Sequence, residues 1–122
     1  MEFINLTGHD LNLNDGRVIK RVEDPTKPDP KDKTGTRHAP IAARVSATFG
    51  EFNEDLICSQ SFGEIINLPA PKPGVKYVVS AMVLAAGKAQ GRTDLVAPAT
   101  GHPLCVRSDD GKDIKSVPGF VC

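Results

Sequence analysis

Three places in this 122-residue chain combine residue types that could do chemistry. The first is His9-Asp10 beside Thr7. A carboxylate next to an imidazole can orient a general base. No serine or cysteine motif accompanies the pair, and a loop histidine beside an aspartate is the ordinary chemistry of a capped turn. The second place is Ser80, set before an apolar stretch, with Arg92 and Asp94 beyond that stretch's far end. Helix N–H groups at Ser80 could hold an anion, and Arg92 could join them if the chain folds it back. The alternative is a helix cap plus an Arg92–Asp94 ion pair that fixes a turn. The third is the basic group Lys27, Lys31, Lys33, Arg37 and His38, a candidate surface for an acidic protein, a nucleic acid or a phosphorylated ligand.

Other chemistries find no support in the residues. There is no P-loop, no G-x-G-x-x-G, no G-x-S-x-G and no H-E-x-x-H, so neither an enzyme nor a cofactor is implied. His9, His38 and His102 lack metal-ligand spacing. Cys58, Cys105 and Cys122 are odd in number and form no C-x-x-C pair, so free thiols are expected; a Cys105–Cys122 bridge is left for oxidising conditions. Fifteen basic and fifteen acidic residues cancel, against the strong positive charge usual in a nucleic-acid-binding domain. The start, MEFINL, has neither a basic nor a long apolar region, and no apolar run approaches a membrane span. A soluble, cytoplasmic protein is the expectation.

The neutral total conceals two opposite stretches. Between Arg17 and Arg44, eight cations face four carboxylates, a net charge of +4. From Val45 to Pro71 the only charges are Glu51, Glu54, Asp55 and Glu64, a net of −4. These are either solvated loops that attract one another or a basic finger that meets a partner. The finger is Glu23 to Pro40, eighteen residues with four prolines and no aliphatic side chain larger than alanine. It cannot build core, and its length makes it either functional or mobile.

The elements that must position these residues can be read in order. Glu2 to Leu6 is a strand; Leu11 to Leu13 and Arg17 to Val22 form a hairpin about Asn14-Asp15-Gly16. Ala42 to Thr48, Leu56 to Gln60 and Phe62 to Leu68 read as strands, with Glu51 to Asp55 a loop or hairpin tip. Pro69, Pro71 and Pro73 force an extended path that cannot join a central ladder. Val75 to Val79 is a strand, Ser80 an N-cap, and Ala81 to Ala89 a helix, apolar nearly all round and therefore buried. A rival reading extends the strand through Met82. Gly91 is a left-handed cap, and Asp94 to Ala97 a strand that Pro98 stops. Leu104 to Arg107 and Asp113 to Val117 make a second hairpin about the turn Ser108 to Lys112, and Phe120-Val121 closes the chain. Seven to nine short strands with one short helix imply a single domain over residues 1–122. The expected class is mostly β (α+β), largely antiparallel: a partly open barrel or a sandwich with the helix plugging one end.

The pattern L-P-x-P-x-x-G-x-x-Y-x-V-S from Leu68 to Ser80, followed by a small apolar run and R-x-D-L-x-x-P from Arg92 to Pro98, resembles a family of small proteins encoded by bacteriophages and prophages. Ile4-Asn5-Leu6-Thr7-Gly8-His9 is similar to that family's usual INLTPH start, with Gly8 where proline is common. The resemblance covers about half of the chain and brings no activity that transfers residue by residue. That phage setting, with the small size, the missing catalytic motifs and the long charged finger, leads to the expectation of a phage-encoded accessory protein that binds a host protein or ribonucleoprotein complex, most simply as an anti-defence inhibitor such as an anti-CRISPR. Two other classes stay open: a small virion or assembly protein, which would be a homo-oligomer, and a nucleotide-binding sponge that uses Ser80 and Arg92.

Overall fold

A computed structural model describes residues 1–111 and 113–122. Its strands, in chain order, begin with β1 (Glu2–Asn5), β2 (Leu11–Asn12), β3 (Val18–Ile19), β4 (Glu23–Pro28) and β5 (His38–Pro40). There follow β6 (Ala47–Phe49), β7 (Gln60–Phe62), β8 (Val75–Val78), helix α1 (Ala81–Ala89) and β9 (Leu95–Pro98). The last three are β10 (Val106–Arg107), β11 (Ile114–Ser116) and β12 (Phe120–Val121). With 36% strand against 7% helix, and several sheets of which none closes on itself, the fold is a mostly-β α+β fold.

The β-branched run Val75-Lys76-Tyr77-Val78 supplies the middle of the one four-stranded sheet, in the order β1-β8-β9-β12. Strand β8 runs parallel to both neighbours, pairing Ile4 with Tyr77 and Tyr77 with Leu95, while β12 is antiparallel to β9. Parallel neighbours need a crossover, and α1 provides it between β8 and β9. The other four pairs, β2-β3, β4-β5, β6-β7 and β10-β11, are antiparallel two-stranded ribbons set around this sheet. So antiparallel pairing is the commoner kind, but the sheet that carries the core is mainly parallel.

Ser80 caps α1 as its residue type requires: its Oγ accepts a hydrogen bond from Val83 N at 3.3 Å. Gly91, at φ +86°, ends the helix after Gln90. The helix buries Val83, Leu84, Ala86 and Gly87 against the sheet. A Cβ at Gly87 would collide with the Leu95 side chain, so glycine lets the helix approach β9. Tyr77, Val79, Val83, Leu84 and Leu95 form the centre of the core together with Leu6, Ala43 and Ala97.

Three expectations are corrected. The helix is not buried all round, because Met82 is 49% exposed on its outer side. The strands expected at Leu56 to Gln60 and Phe62 to Leu68 shrink to β7, with Ile66 making only an isolated bridge to Arg44. There, the Asn53 side chain accepts hydrogen bonds from Asp55 N and Ile57 N, and Leu56 takes φ +61°, so a tight turn occupies residues expected to be extended. Within Glu23 to Pro40, expected as a polar, Pro-rich loop, β4 and β5 pair, with a register shift between Asp24 and Pro28. Prolines fit because each strand of a two-stranded ribbon has a free edge. The sheets stay open, in keeping with the mostly-β, partly open architecture expected, and the helix packs against the face of the main sheet. β10 and β11 pair as the second hairpin, as expected; the turn expected at Ser108 to Lys112 falls in part outside the described residues, at Lys112.

Candidate functional site

The 23–40 hairpin is anchored at its base by backbone hydrogen bonds to the sheet. Val22 N donates to Asn5 O at 3.0 Å, Ile41 N to Val22 O at 2.8 Å, and Ala43 N to Leu6 O at 2.9 Å. On this base sits a cluster of two arginines and three carboxylates. Arg21 donates from Nε to Glu23 Oε2 at 2.9 Å and from Nη2 to Asp29 Oδ2 at 2.8 Å. It also reaches the His38 carbonyl at 3.2 Å. Arg37 holds both Asp10 oxygens, at 3.0 and 3.2 Å, and meets Glu23 Oε2 as well. The Arg21 and Asp29 side chains are 11% and 9% exposed, so water screens this contact far less than a surface ion pair.

The charges act on one another as these distances require. The Arg37 side chain, then Arg21 N, hold the Asp10 carboxyl below its usual range. Hydrogen bonds from the Arg21 guanidinium do the same for Glu23 and Asp29. The tip is folded about one carboxylate. Asp32 Oδ1 accepts from Thr34 N at 3.0 Å and Thr34 Oγ1 at 2.6 Å; Asp32 Oδ2 accepts from Thr36 N at 3.1 Å and Arg37 N at 2.7 Å. Led by the Thr34 hydroxyl and Arg37 N, these bonds lower the Asp32 carboxyl to about 2.

Of the five residues expected to meet a partner, all lie on this hairpin, but in two roles. Lys27, Lys31 and Lys33 are exposed, and no ion pair engages them among the described residues. Arg37 turns inward to the cluster, and His38 is exposed while its carbonyl is held by Arg21. Asp10 is committed to Arg37 and to Arg21 N, so the His9-Asp10 neighbourhood in sequence becomes part of the hairpin's anchor.

Ser80 and Arg92 are not brought together. They stand at opposite ends of α1. Arg92 grips Asp94 with two parallel bonds of 2.9 and 2.8 Å, and Nη2 also donates to the Pro69 carbonyl at 3.0 Å. That pair holds the Asp94 carboxyl below its usual range. The Ser80 end of the helix instead opens on a cleft of about 560 Å³ lined by Thr7, His9, Arg44, Glu64 and Met82, among others. Arg44, far from Ser80 in sequence, is placed there by its bridge to Ile66. Nothing local in the sequence marks that neighbourhood.

Asn5 was missed as well. It is the one buried polar side chain among the described residues, at 1% exposure, and all its hydrogen-bonding capacity is used. Nδ2 donates to His9 O and Ile19 O at 2.7 and 2.9 Å, and Oδ1 accepts from Thr7 N and Thr7 Oγ1 at 3.0 and 2.6 Å. Gly8, between them, takes φ +89°, a conformation closed to the proline common at that place in the resembling family.

Among the described residues, no three of His, Cys, Asp or Glu gather as a metal site, the three cysteines are unbridged, and no helix is long and apolar enough to cross a membrane. Compared with family models, with curated proteins and with solved structures, the chain matches none.

Proposed function

We propose that this protein acts by binding, as a phage-encoded accessory protein that holds a host protein or ribonucleoprotein complex in the bacterial cytoplasm and so inhibits a defence system, an anti-CRISPR or a similar inhibitor. One observation supports this reading above the others. The hairpin is stiffened from within by Arg21, Arg37, Asp10, Glu23, Asp29 and Asp32, while its three exposed lysines have no ion-pair partner among the described residues. A stiff, charged projection presents its contacts at low entropic cost, because little of it must be ordered on binding. Its lysines suit a partner surface that is acidic; a near-neutral chain is poorly suited to bare nucleic acid. The experiment is affinity capture from a bacterial lysate, coupled to phage plating on a host with active immunity. Recovery of one defence component together with restored plating supports the reading; neither recovery nor relief of any defence system rejects it.

A second reading, a nucleotide-binding sponge, draws on the 560 Å³ cleft, where Arg44 has no ion-pair partner among the described residues and lies near His9 and Ser80. In this reading Arg44 replaces Arg92 as the cation. A nucleotide at 100 times its dissociation constant adds ~2.7 kcal/mol to stability. A thermal-shift panel is therefore decisive: a shift lost in Arg44→Ala supports a sponge, and no shift with any nucleotide rejects it.

A further inference from the structure

Although Arg44 and Glu64 of the two oppositely charged segments share one cleft, the tips of those segments form no ion pair with each other among the described residues. Glu51, Glu54 and Asp55 sit on the connection between β6 and β7, and all three are exposed. None of them takes part in an ion pair among the described residues, nor do Lys27, Lys31 and Lys33 on the 23–40 hairpin. Both sets of side chains are thus exposed and without an ion pair among the described residues.

The 47–62 hairpin is also apolar where a lone hairpin should not be. Register pairs Ala47 with Phe62 and Phe49 with Gln60, which puts Phe49 and Phe62 on the same face. The opposite face carries the Thr48–Ser61 hydroxyl pair at 2.7 Å. Phe49 is 66% exposed, Phe52 69%, Leu56 80% and Ile57 63%. At the ~150–250 Å² an aromatic side chain can bury, these four expose on the order of 500 Å², more than half of the ~800 Å² each partner buries in a standard interface. The hairpin is ordered to its tip, with Gly50 N bonded to Ser59 O and Asn53 N to Ile57 O, both at 2.9 Å. An isolated two-stranded ribbon is marginal in water, so an apolar face on one calls for a cover.

We propose that the 47–62 hairpin of one copy docks on the 23–40 hairpin of a second copy, with Phe49, Phe52, Leu56 and Ile57 against its prolines and Glu51, Glu54 and Asp55 against its lysines. Charge decides the arrangement. Packing two 47–62 hairpins on each other would oppose like carboxylates, which is unfavourable, whereas the 23–40 hairpin offers Lys27, Lys31 and Lys33 beside exposed Pro25, Pro28 and Pro30. Made twice about a two-fold axis, the contact closes a reciprocal dimer; made once per pair it is heterologous and builds a ring or an open filament. It does not depend on any host partner, and the purified protein alone tests it.

The experiment is sedimentation equilibrium of the full chain over a range of concentrations, at low and high salt. Reversible association that weakens with salt is expected. Phe52→Ser with Ile57→Ser should weaken it by roughly ten-fold or more, and so should Lys27→Glu, Lys31→Glu and Lys33→Glu made together. All five positions are exposed, so melting curves should stay those of the unaltered chain. The decisive arm mixes the two variants. Each keeps the half that the other lacks, so together they should form a 1:1 complex although neither associates alone. A chain that is monomeric at every concentration overturns the proposal. So does a lysine variant that associates undiminished, or a mixture that forms no complex.

Discussion

Replacing Asn5 by alanine tests how the loop before the charged hairpin is held. The side chain is 1% exposed and joins three places at once: the Thr7 backbone and hydroxyl, the His9 carbonyl and the Ile19 carbonyl in β3. Alanine removes four hydrogen bonds, each contributing a net ~0.5–1.5 kcal/mol, and leaves their partners under-satisfied in a site closed to water. A loss of about 3–4 kcal/mol follows, a large part of the ~5–15 kcal/mol total of a domain this size. At this length that is a fall in Tm on the order of 10–15 °C. Urea and thermal unfolding followed by circular dichroism read it directly. Thr7→Val removes only the hydroxyl's share, about 1–2 kcal/mol, and the double variant should lose clearly less than the sum because the two side chains share a bond. An Asn5→Ala chain that loses under about 1 kcal/mol would refute the reasoning, since the buried network would then contribute nothing net.

Three further outcomes follow from the same geometry. Arg92→Ala and Asp94→Ala should each cost about 2 kcal/mol and the double variant little more, between the weak effect of surface pairs and the ~3–5 kcal/mol of fully buried ones; additive losses in a double-mutant cycle would dissolve the pair. Met82→Asp should change stability by less than about 1 kcal/mol, because the side chain is half exposed and a carboxylate in the first turn suits the helix dipole; a loss of several kcal/mol in a urea melt would place Met82 in the core. The Asp32 carboxyl lies at about 2 in the folded chain, below its ordinary 3.8, so its contribution is full above about pH 4 and lost as pH falls through about 2. Protection of the Thr34, Thr36 and Arg37 amides from exchange, measured against an unfolded chain at the same pH, should therefore fall as pH drops through about 2, and an Asp32→Asn chain with the same pH profile of protection would contradict this.

What was legible in the sequence divides by the range of the interactions involved. The helix bounds, the Ser80 cap, Gly91 and the β8 and β9 strands rest on neighbours within a few residues, and they were readable. The residues behind the phage-family resemblance have structural work in this fold. Asn5 and Thr7 tie the first loop, the Tyr77 hydroxyl donates to Ala70 O at 3.0 Å, and Arg92 joins Asp94 to Pro69. Such a pattern carries a backbone path, which is why it brought no activity with it. The 23–40 hairpin looked mobile because it lacks aliphatic residues; what orders it is polar. Its Asp-x-Thr steps at Asp24 and Asp32 were a usable signal, since an aspartate that caps the N–H two residues on builds a turn without any core. The partners of Arg21 and Arg37, and the meeting of Arg44 with Ser80, depend on strand pairing across long separations. No local pattern could have revealed them.

The central claim is that the lysine side of a stiff hairpin binds a component of host defence. The most direct measurement is phage plating on bacteria with active CRISPR immunity that express either the unaltered chain or the Lys27→Glu, Lys31→Glu, Lys33→Glu variant, with both proteins shown to be folded and equally abundant. The account predicts that the unaltered chain raises plating by orders of magnitude and that the variant does not. Full protection by the charge-reversed variant, or no protection by either protein in hosts carrying any defence system, would contradict it.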